Sequence, residues 1–326
     1  MHSLREKVLA RLLAADGFMS GAEISQKLDI SRGAVWKHVQ ALRREGFVIS
    51  GSTGRGYRIL RVPDLLLPSV ILPVLSGDFG RPYYFYQTVS STSDVARELA
   101  QSGAPQGTVV AAEEQTRGRG RRGNLWYSPR GGLWFSLLLR PRVSPAQSQT
   151  LPLFISLMVA KGIEKLTGVP PDLKWPNDIF LGRRKTGGVL VEISAEAEQV
   201  CYAVIGIGIN VNVASFPPEL AKEATSLHIY NGREVERARL LAVLLSTIET
   251  EYLRWCREGF APFREAYKER LSLLGREITV KTTSGEVLSG NALDVDAGGR
   301  LLLSLPTGEQ RWLYGGEVKI REGTLN

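Results

Sequence analysis

Residues 115–129 read Gln115-Thr116-Arg117-Gly118-Arg119-Gly120-Arg121-Arg122-Gly123-Asn124-Leu125-Trp126-Tyr127-Ser128-Pro129. Positions 118–123 satisfy G-x-G-x-x-G, a signature shared with dinucleotide-binding α/β folds. Such a fold requires a helix directly after the glycines, so that a pyrophosphate rests on the helix N-terminus. Here Pro129 and Gly131-Gly132 intervene, and the apolar run 133–139 beyond them has strand character. No helix begins there, so the Rossmann reading fails. Around this stretch, strand-like runs at 108–112, 133–139, 188–193 and 202–209 mix with helical patterns at 93–101, 149–167 and 237–257. Strands and helices do not alternate regularly. The pattern therefore predicts an α+β fold, a mixed or antiparallel sheet with helices on one face, over a doubly wound one.

The N-terminal fifth has a different character. Residues 1–62 carry 11 Lys/Arg against 5 Asp/Glu, so +6 of the net charge of +8 sits there. Such asymmetry points to a polyanionic partner, bound through release of counterions from phosphates. Leu4, Val8, Leu12 and Leu13 repeat at helical spacing before Gly17. Ser20-Gly21-Ala22-Glu23 has the form of a capping box and opens a helix running to Leu28. Asp29-Ile30 turns the chain, and Ser31 caps a third helix that ends before Gly46. On this helix Val35, Val39 and Leu42 share one face; Arg32, Trp36, Lys37, Gln40 and Arg43 share the other. Residues 47–50, a turn with Gly51, Gly54 and Gly56, and Tyr57-Arg58-Ile59 read as a hairpin. Three helices and a hairpin predict a winged helix-turn-helix. Its third helix would enter the major groove of DNA, with Arg55 and Arg58 on the wing near phosphates. A basic face is more often simply solvated, but the caps, the turn, the wing and the excess charge coincide here. Trp36 suits either a DNA sugar or a domain interface.

Pro63-Asp64 marks a linker, which sets the expected domains at 1–62, 63–272 and 273–326. In the last, short strands are separated by Ser284-Gly285, Gly298-Gly299, Thr307-Gly308 and Gly315-Gly316, a spacing that suits a small β-barrel. A chain of 326 residues, 43% hydrophobic and 23% charged, has length and composition for two or three globular domains. Cys201 and Cys256 cannot build a disulfide framework and lack metal-ligand spacing. Neither a signal peptide nor a membrane-length apolar run is visible, so a soluble, cytoplasmic protein is expected.

The chemistry must run without the commonest tools. The three histidines, His2, His38 and His228, make no triad or zinc pattern, and no Walker A loop is present. The stretch 117–123 holds four arginines among three glycines. Glycine admits close backbone approach, and arginine offers planar charge-assisted donors to phosphate. A solvated or RNA-binding turn explains the same residues equally well. With four like charges, the loop is expected to be mobile when empty and to close over an anion. A second stretch, Lys174-Trp175-Pro176-Asn177-Asp178, is followed by Arg184-Lys185-Thr186-Gly187-Gly188. The lysines at 174 and 185 straddle a hairpin. They suit a transferring phosphoryl group, and Asp178 is an oxygen ligand available to Mg²⁺. An ordinary charged hairpin is the plainer reading, but Trp175 and Pro176 make a turn stiffer than such a hairpin requires. A third stretch, Gly206-Ile207-Gly208-Ile209-Asn210, puts glycines in a strand, either for close approach of a ligand or for packing. Ser90-Ser91-Thr92-Ser93 precedes a helix, where its hydroxyls commonly act as caps.

Taken in order, these stretches resemble the biotin protein ligases, in particular the bifunctional class that doubles as a repressor of the biotin operon. The matching pieces are Ser91-Thr92-Ser93, Gln115, the arginine loop, Trp126, Lys174 to Asp178, Arg184-Lys185 with Gly188, Gly208-Ile209-Asn210 and Gly315-Gly316-Glu317. The resemblance extends over nearly the whole chain, including the helix-turn-helix and its wing.

The resemblance implies formation of biotinyl-5'-AMP from biotin and ATP with Mg²⁺, then transfer of biotin to a lysine of a carboxyl carrier protein. A homodimer would bind operator DNA. Ser91, Thr92, Ser93, Gln115, Arg119, Gly120, Arg121, Trp126, Lys185 and Gly188 would contact biotin. Gly118, Arg121, Arg122, Lys174, Asn177 and Asn210 would contact ATP or the adenylate, with Asp178 on the metal. Lys185 and Arg121 would be catalytic, and 212–226 would cover the adenine. The third domain would be an SH3-like barrel. The family's Ser-Thr-Asn reads Ser91-Thr92-Ser93 here, a hydroxyl in place of a carboxamide. A biotin-sensing factor without catalysis would not need Lys185 and the full arginine loop. A lipoate ligase would have little use for the Ser91/Gln115 set.

Overall fold

A computed structural model describes residues 4–320; His2 and the last residues of the expected 273–326 domain lie outside the described residues. The chain divides into two compact units, with the boundary between Pro73 and Val74. Among the described residues it forms three sheets.

The first unit contains α1 (Leu4–Leu13), α2 (Gly21–Leu28), α3 (Arg32–Arg44), β1 (Val48–Ser52), β2 (Gly56–Arg61) and α4 (Pro68–Ile71). Ser20 Oγ accepts the Glu23 N–H at 3.0 Å, and Ser31 Oγ accepts that of Ala34 at 3.1 Å, so both expected caps form. The capping box is only half made, because the Glu23 carboxylate pairs with Lys27 at 2.8 Å. Val8, Leu9, Leu12, Ile24, Val35, Val39 and Leu42 meet Phe47 and Ile49 in one core, against which Leu65 and Leu67 also pack. Those two leucines and α4 belong to this unit, which is why its end lies beyond the expected linker at Pro63. Tyr57 bridges Met19 through two backbone bonds of 2.9 Å. A Cβ at Gly56 would stand 2.1 Å from the Met19 carbonyl oxygen, so only glycine lets the wing seat there.

The second unit is built on a seven-stranded mixed sheet. Its strands are β3 (Tyr83–Val89), β4 (Val109–Gln115), β5 (Leu133–Leu139), β6 (Asp172–Lys174), β7 (Asp178–Leu181), β8 (Arg184–Glu196) and β9 (Gln199–Ile209). They lie in the order β3-β4-β5-β9-β8-β7-β6, parallel between β3 and β4 and antiparallel elsewhere. The helices are α5 (Thr92–Gln101), α6 (Pro145–Ser148), α7 (Leu151–Thr167), α8 (Leu227–Asn231), α9 (Arg237–Glu258) and α10 (Arg264–Lys268). Ala96 and Ala100 of α5 pack on Val110, Leu138 and Val204. Strand alternation aims the intervening Val109, Leu137 and Ile205 at the other face, and these are also fully buried. The largely apolar α7, with α9 beyond it, forms the layer on that face. Helices therefore cover both faces, not the one face expected. α7, Leu151–Thr167, is the helix expected over 149–167, and the short α6 precedes it.

The expected barrel region is a five-stranded antiparallel sheet: β10 (Glu277–Thr282), β11 (Val287–Val295), β12 (Leu301–Ser304), β13 (Gln310–Leu313) and β14 (Gly316–Ile320). Their order is β13-β12-β11-β10-β14. It belongs to the second unit, joined there by Trp175 Nε1, which donates to the Gly299 carbonyl at 2.9 Å.

One buried ion pair ties α9 to the large sheet. Arg237 and Glu113 have side chains 3% exposed and approach to 2.9 Å, and Arg237 Nη1 also donates to the Gly132 carbonyl at 2.9 Å. Removing one member strands the other's charge away from water. Arg237→Ala is expected to destabilise the second unit by about 3–5 kcal/mol in denaturant unfolding, against under about 1 kcal/mol for Arg239→Ala in the exposed pair with Glu236. Equal effects would show that the buried pair carries no special weight.

Candidate active site

A cavity of about 1350 Å³ opens on the face of the large sheet that carries α5. Its floor is made by missing side chains. Gly188 and Gly208 are direct cross-strand partners on β8 and β9, and Gly206 pairs with Leu190 and Ser136. A Cβ on Gly208 would stand 2.6 Å from Trp126 Nε1, and one on Gly206 2.8 Å from Ser93 Oγ. The glycines thus let an indole and a hydroxyl lie directly on the sheet. Trp126 Nε1 is buried with no hydrogen-bond partner, a donor left for a ligand.

At one end of the floor stands a cluster of hydroxyls. Gln115 Oε1 accepts from the Thr92 N–H at 2.9 Å and from Thr92 Oγ1 at 3.1 Å, while Gln115 Nε2 donates to Ser128 Oγ at 3.0 Å. Gln115 therefore caps α5 from another strand, and Ser91, the residue before the helix, makes no side-chain cap bond. Thr92 Oγ1 lies 2.8 Å from Ser136 Oγ, which lies 3.0 Å from Ser93 Oγ. Each hydroxyl has one proton. With Thr92 donating to Gln115, Ser136 donates to Thr92 and Ser93 to Ser136. The cluster then presents lone pairs and accepts N–H groups from a ligand. Ser136 and Ser128 were missed in the sequence, where each is a lone serine; only strand pairing brings them to Gln115 and Ser93.

The cations stand further along. Lys185 Nζ is 2.6 Å from Asp178 Oδ1 and 5.0 Å from the centre of the Trp126 ring. The backbone of Lys185 is held by Glu223 and Thr225, at 2.7 and 2.9 Å. Lys174 pairs across β6 and β7 with Asp178 and lies over Phe180 at 5.4 Å. Arg121 Nη1 donates to Asn177 Oδ1 at 3.1 Å and to the Gly316 carbonyl at 3.3 Å, and Arg122 reaches the Lys281 carbonyl at 3.3 Å. Burial pushes both the Arg121 guanidinium and the Lys174 ammonium below their ordinary values, with Asp178 opposing in each case. An arriving anion would favour the charged form of both.

Most of the expected site residues converge on this cavity: Ser91, Thr92, Ser93, Gln115, Arg119, Gly120, Arg121, Arg122, Trp126, Lys174, Asn177, Asp178, Lys185, Gly188 and Asn210 line it. Gly118 lies behind the loop, packed on Ser128 and the Trp126 carbonyl. Three of the four loop arginines have partners: Arg119 is turned to Asp94 and Glu192 at 3.1 and 2.6 Å, and Arg121 and Arg122 reach neutral acceptors. Asn177 is a buried brace, its Nδ2 donating to the Val189 carbonyl at 2.6 Å. Asn210 Nδ2 holds the Thr225 carbonyl at 3.0 Å, so its side chain supports 220–225 rather than pointing freely at a nucleotide. Trp175 is buried. Among the described residues no group of three or more His, Cys, Asp or Glu could cage a metal.

In the first unit Arg32, Lys37 and Arg58 are exposed and Trp36 is 53% exposed, while Arg55 stacks over Phe18 at 4.5 Å. Arg43 is different. Its Nε and Nη2 donate to the Ile49 carbonyl at 3.0 and 2.7 Å, joining α3 to the wing, so part of its donor set is engaged inside the unit. Gln40, its amide oriented by its neighbours, accepts from Trp36 Nε1 at 3.2 Å and Arg43 Nη1 at 3.0 Å.

This arrangement has known relatives. Residues 84–210 match the Biotin/lipoate A/B protein ligase family, 4–58 an HTH domain and 273–321 the Biotin protein ligase C terminal domain. The Bifunctional ligase/repressor BirA of Bacillus spizizenii is 38% identical, covering 98% of this chain and all of that protein. Its Escherichia coli counterpart is 30% identical over 96% of each. The chain belongs to the biotin protein ligase family, in its bifunctional ligase/repressor class. A biotin protein ligase from Aquifex aeolicus, solved in complex with biotin and ATP, is 30% identical with a TM-score of 0.64; the match covers 73% of this chain and 98% of that one.

In this ligase the hydroxyl relay offers a direct test. Ser136→Ala is expected to weaken biotin binding about tenfold, as for loss of one buried hydrogen-bond partner. Titration calorimetry measures it, and an unchanged dissociation constant would count against the relay.

Proposed function

We propose that this biotin protein ligase seats the ureido head of biotin at the Thr92, Ser93, Ser136 and Gln115 cluster and forms biotinyl-5'-AMP beside Lys185. The observation that carries this reading is the continuity of one cavity from acceptor hydroxyls, past Trp126 on its glycine floor, to Lys185, Lys174 and Arg121. A biotin carboxylate oxygen attacks the α-phosphorus of ATP, forming a C–O–P anhydride and expelling pyrophosphate. Lys185 neutralises charge there, released from Asp178 as the phosphate takes its place. Lys174 and Arg121 hold the remaining phosphate oxygens, and residues 220–225 close over the nucleotide. Mg²⁺ would arrive with ATP as part of the substrate, Asp178 supplying one oxygen ligand. In the second step the lysine amine of a carrier protein attacks the acyl carbon, AMP leaves, and the amine loses a proton.

The first unit binds operator DNA through α3 and the wing, with Arg32, Trp36 and Lys37 on the groove and Arg55 and Arg58 near phosphates. Two half-sites call for a homodimer. No helix among the described residues is long and apolar enough to cross a membrane.

Lys185→Ala should cut pyrophosphate release with biotin and ATP by about a hundredfold or more, as for removal of one preorganised charge donor. A change below about threefold would remove Lys185 from this role. Release with lipoate but not with biotin would overturn the substrate assignment. On DNA, Lys37→Ala should lower the slope of log affinity against log salt by about one. Arg43→Ala should lower thermal stability and leave that slope unchanged; a fall in the slope instead would return Arg43 to the DNA contacts.

A further inference from the structure

The arginine loop is tied to the body of the ligase by a ring of four charges. Arg119 Nη2 lies 2.6 Å from Glu192 Oε2 and 3.1 Å from Asp94 Oδ1. Arg97 closes the ring, with Nη2 3.0 Å from Glu192 Oε1 and Nη1 3.3 Å from Asp94 Oδ1. The four side chains come from α5, the loop and β8. They are between 30% and 38% exposed, within reach of dissolved salt but partly shielded from water.

The loop itself is a closed hairpin. The Gly120 N–H donates to the Asn124 carbonyl at 2.7 Å, and the Trp126 N–H to the Gly118 carbonyl at 2.8 Å. Residues 118–126 are therefore held as one hairpin that carries Arg121 and Trp126. Arg121 and Arg122 fasten it to the C-terminal sheet through backbone carbonyls. Arg119 supplies the other anchor, onto two carboxylates. When the loop lifts, Arg97 alone faces Asp94 and Glu192, and one carboxylate is left uncompensated.

We propose that Asp94, Arg97 and Glu192 are positioning residues that act through Arg119 to hold the loop shut, and so set how fast the reactive acyl-adenylate escapes. This rests on the acyl-adenylate reading above. Lys185 stands on β8 and not on the loop, so weakening the ring through Asp94 or Glu192 acts first on retention of the intermediate.

The experiment uses the full-length protein, with biotinyl-adenylate formed in place from biotin and ATP and its release followed by a chase with unlabelled biotin. Glu192→Gln and Arg119→Gln are each expected to speed release about tenfold, and the double variant no more than Arg119→Gln alone, because Glu192 acts on the loop through Arg119. Wild-type release should quicken between about 0.05 M and about 0.5 M salt, and that of Glu192→Gln much less so. A purely structural role predicts additive effects and no difference in salt response. Unchanged release in Glu192→Gln, or equal salt dependence in variant and wild type, overturns the proposal. If Glu192→Gln does not fold, Asp94→Asn and the wild-type salt series test the same point. Absence of any adenylate in the wild type would sink the ligase reading itself, an outcome distinct from normal formation with unaltered release.

Discussion

A β-sheet presents side chains on both faces, so a flat ligand can lie against one only where those side chains are absent. The pairing of Gly188 with Gly208, and the placing of Gly206 opposite Ser136, meet that constraint at the centre of the large sheet. Everything else in the site is arranged around this bare patch. Trp126 comes down on it from the arginine loop, the hydroxyls gather at one end, and Lys185 stands on the strand that carries Gly188. A methyl group on Gly208 would meet the Trp126 indole nitrogen at 2.6 Å, and the loop could not close in its present place.

The cations are arranged by separation. Lys185 is held by Asp178, Arg119 by Asp94 and Glu192, and Arg121 by neutral acceptors on Asn177 and Gly316. Partners of this kind keep like charges apart while no anion is bound, and a phosphate can displace them. Arg121 and Lys174 are the two whose charge burial disfavours most clearly, and they flank Asp178. An anionic intermediate would therefore be gripped hardest where the site is driest. The acidic residues that matter most here work by holding cations in place.

The helix-turn-helix unit divides its basic side chains between exposed and bracing positions. The exposed face of α3 holds Arg32, Trp36 and Lys37, whereas Arg43 at its far end turns back to the wing. Arginine's five donors make it as useful for bracing a carbonyl as for reaching a phosphate. Periodicity shows which face of a helix a residue is on, but not which of those tasks it performs.

Local rules made much of this protein legible from its sequence. The caps at Ser20 and Ser31, the turn at Asp29, the apolar periodicity of α1 to α3 and the strand runs at 133–139 and 202–209 depend on neighbours a few residues away, so linear spacing carries them. The same holds for the rejection of a Rossmann turn, because Pro129 and two glycines stand where a helix would have to begin. Tertiary structure alone decided the rest. Ser136 reaches Ser93 across 43 residues, Glu192 reaches Arg119 across 73, and Gln115 caps a helix 23 residues earlier in the chain. Neither spacing nor residue type encodes such meetings; they follow from strand order and register. Which serine accepts, which arginine braces and which carboxylate holds a lysine became definite only when the sheet was assembled.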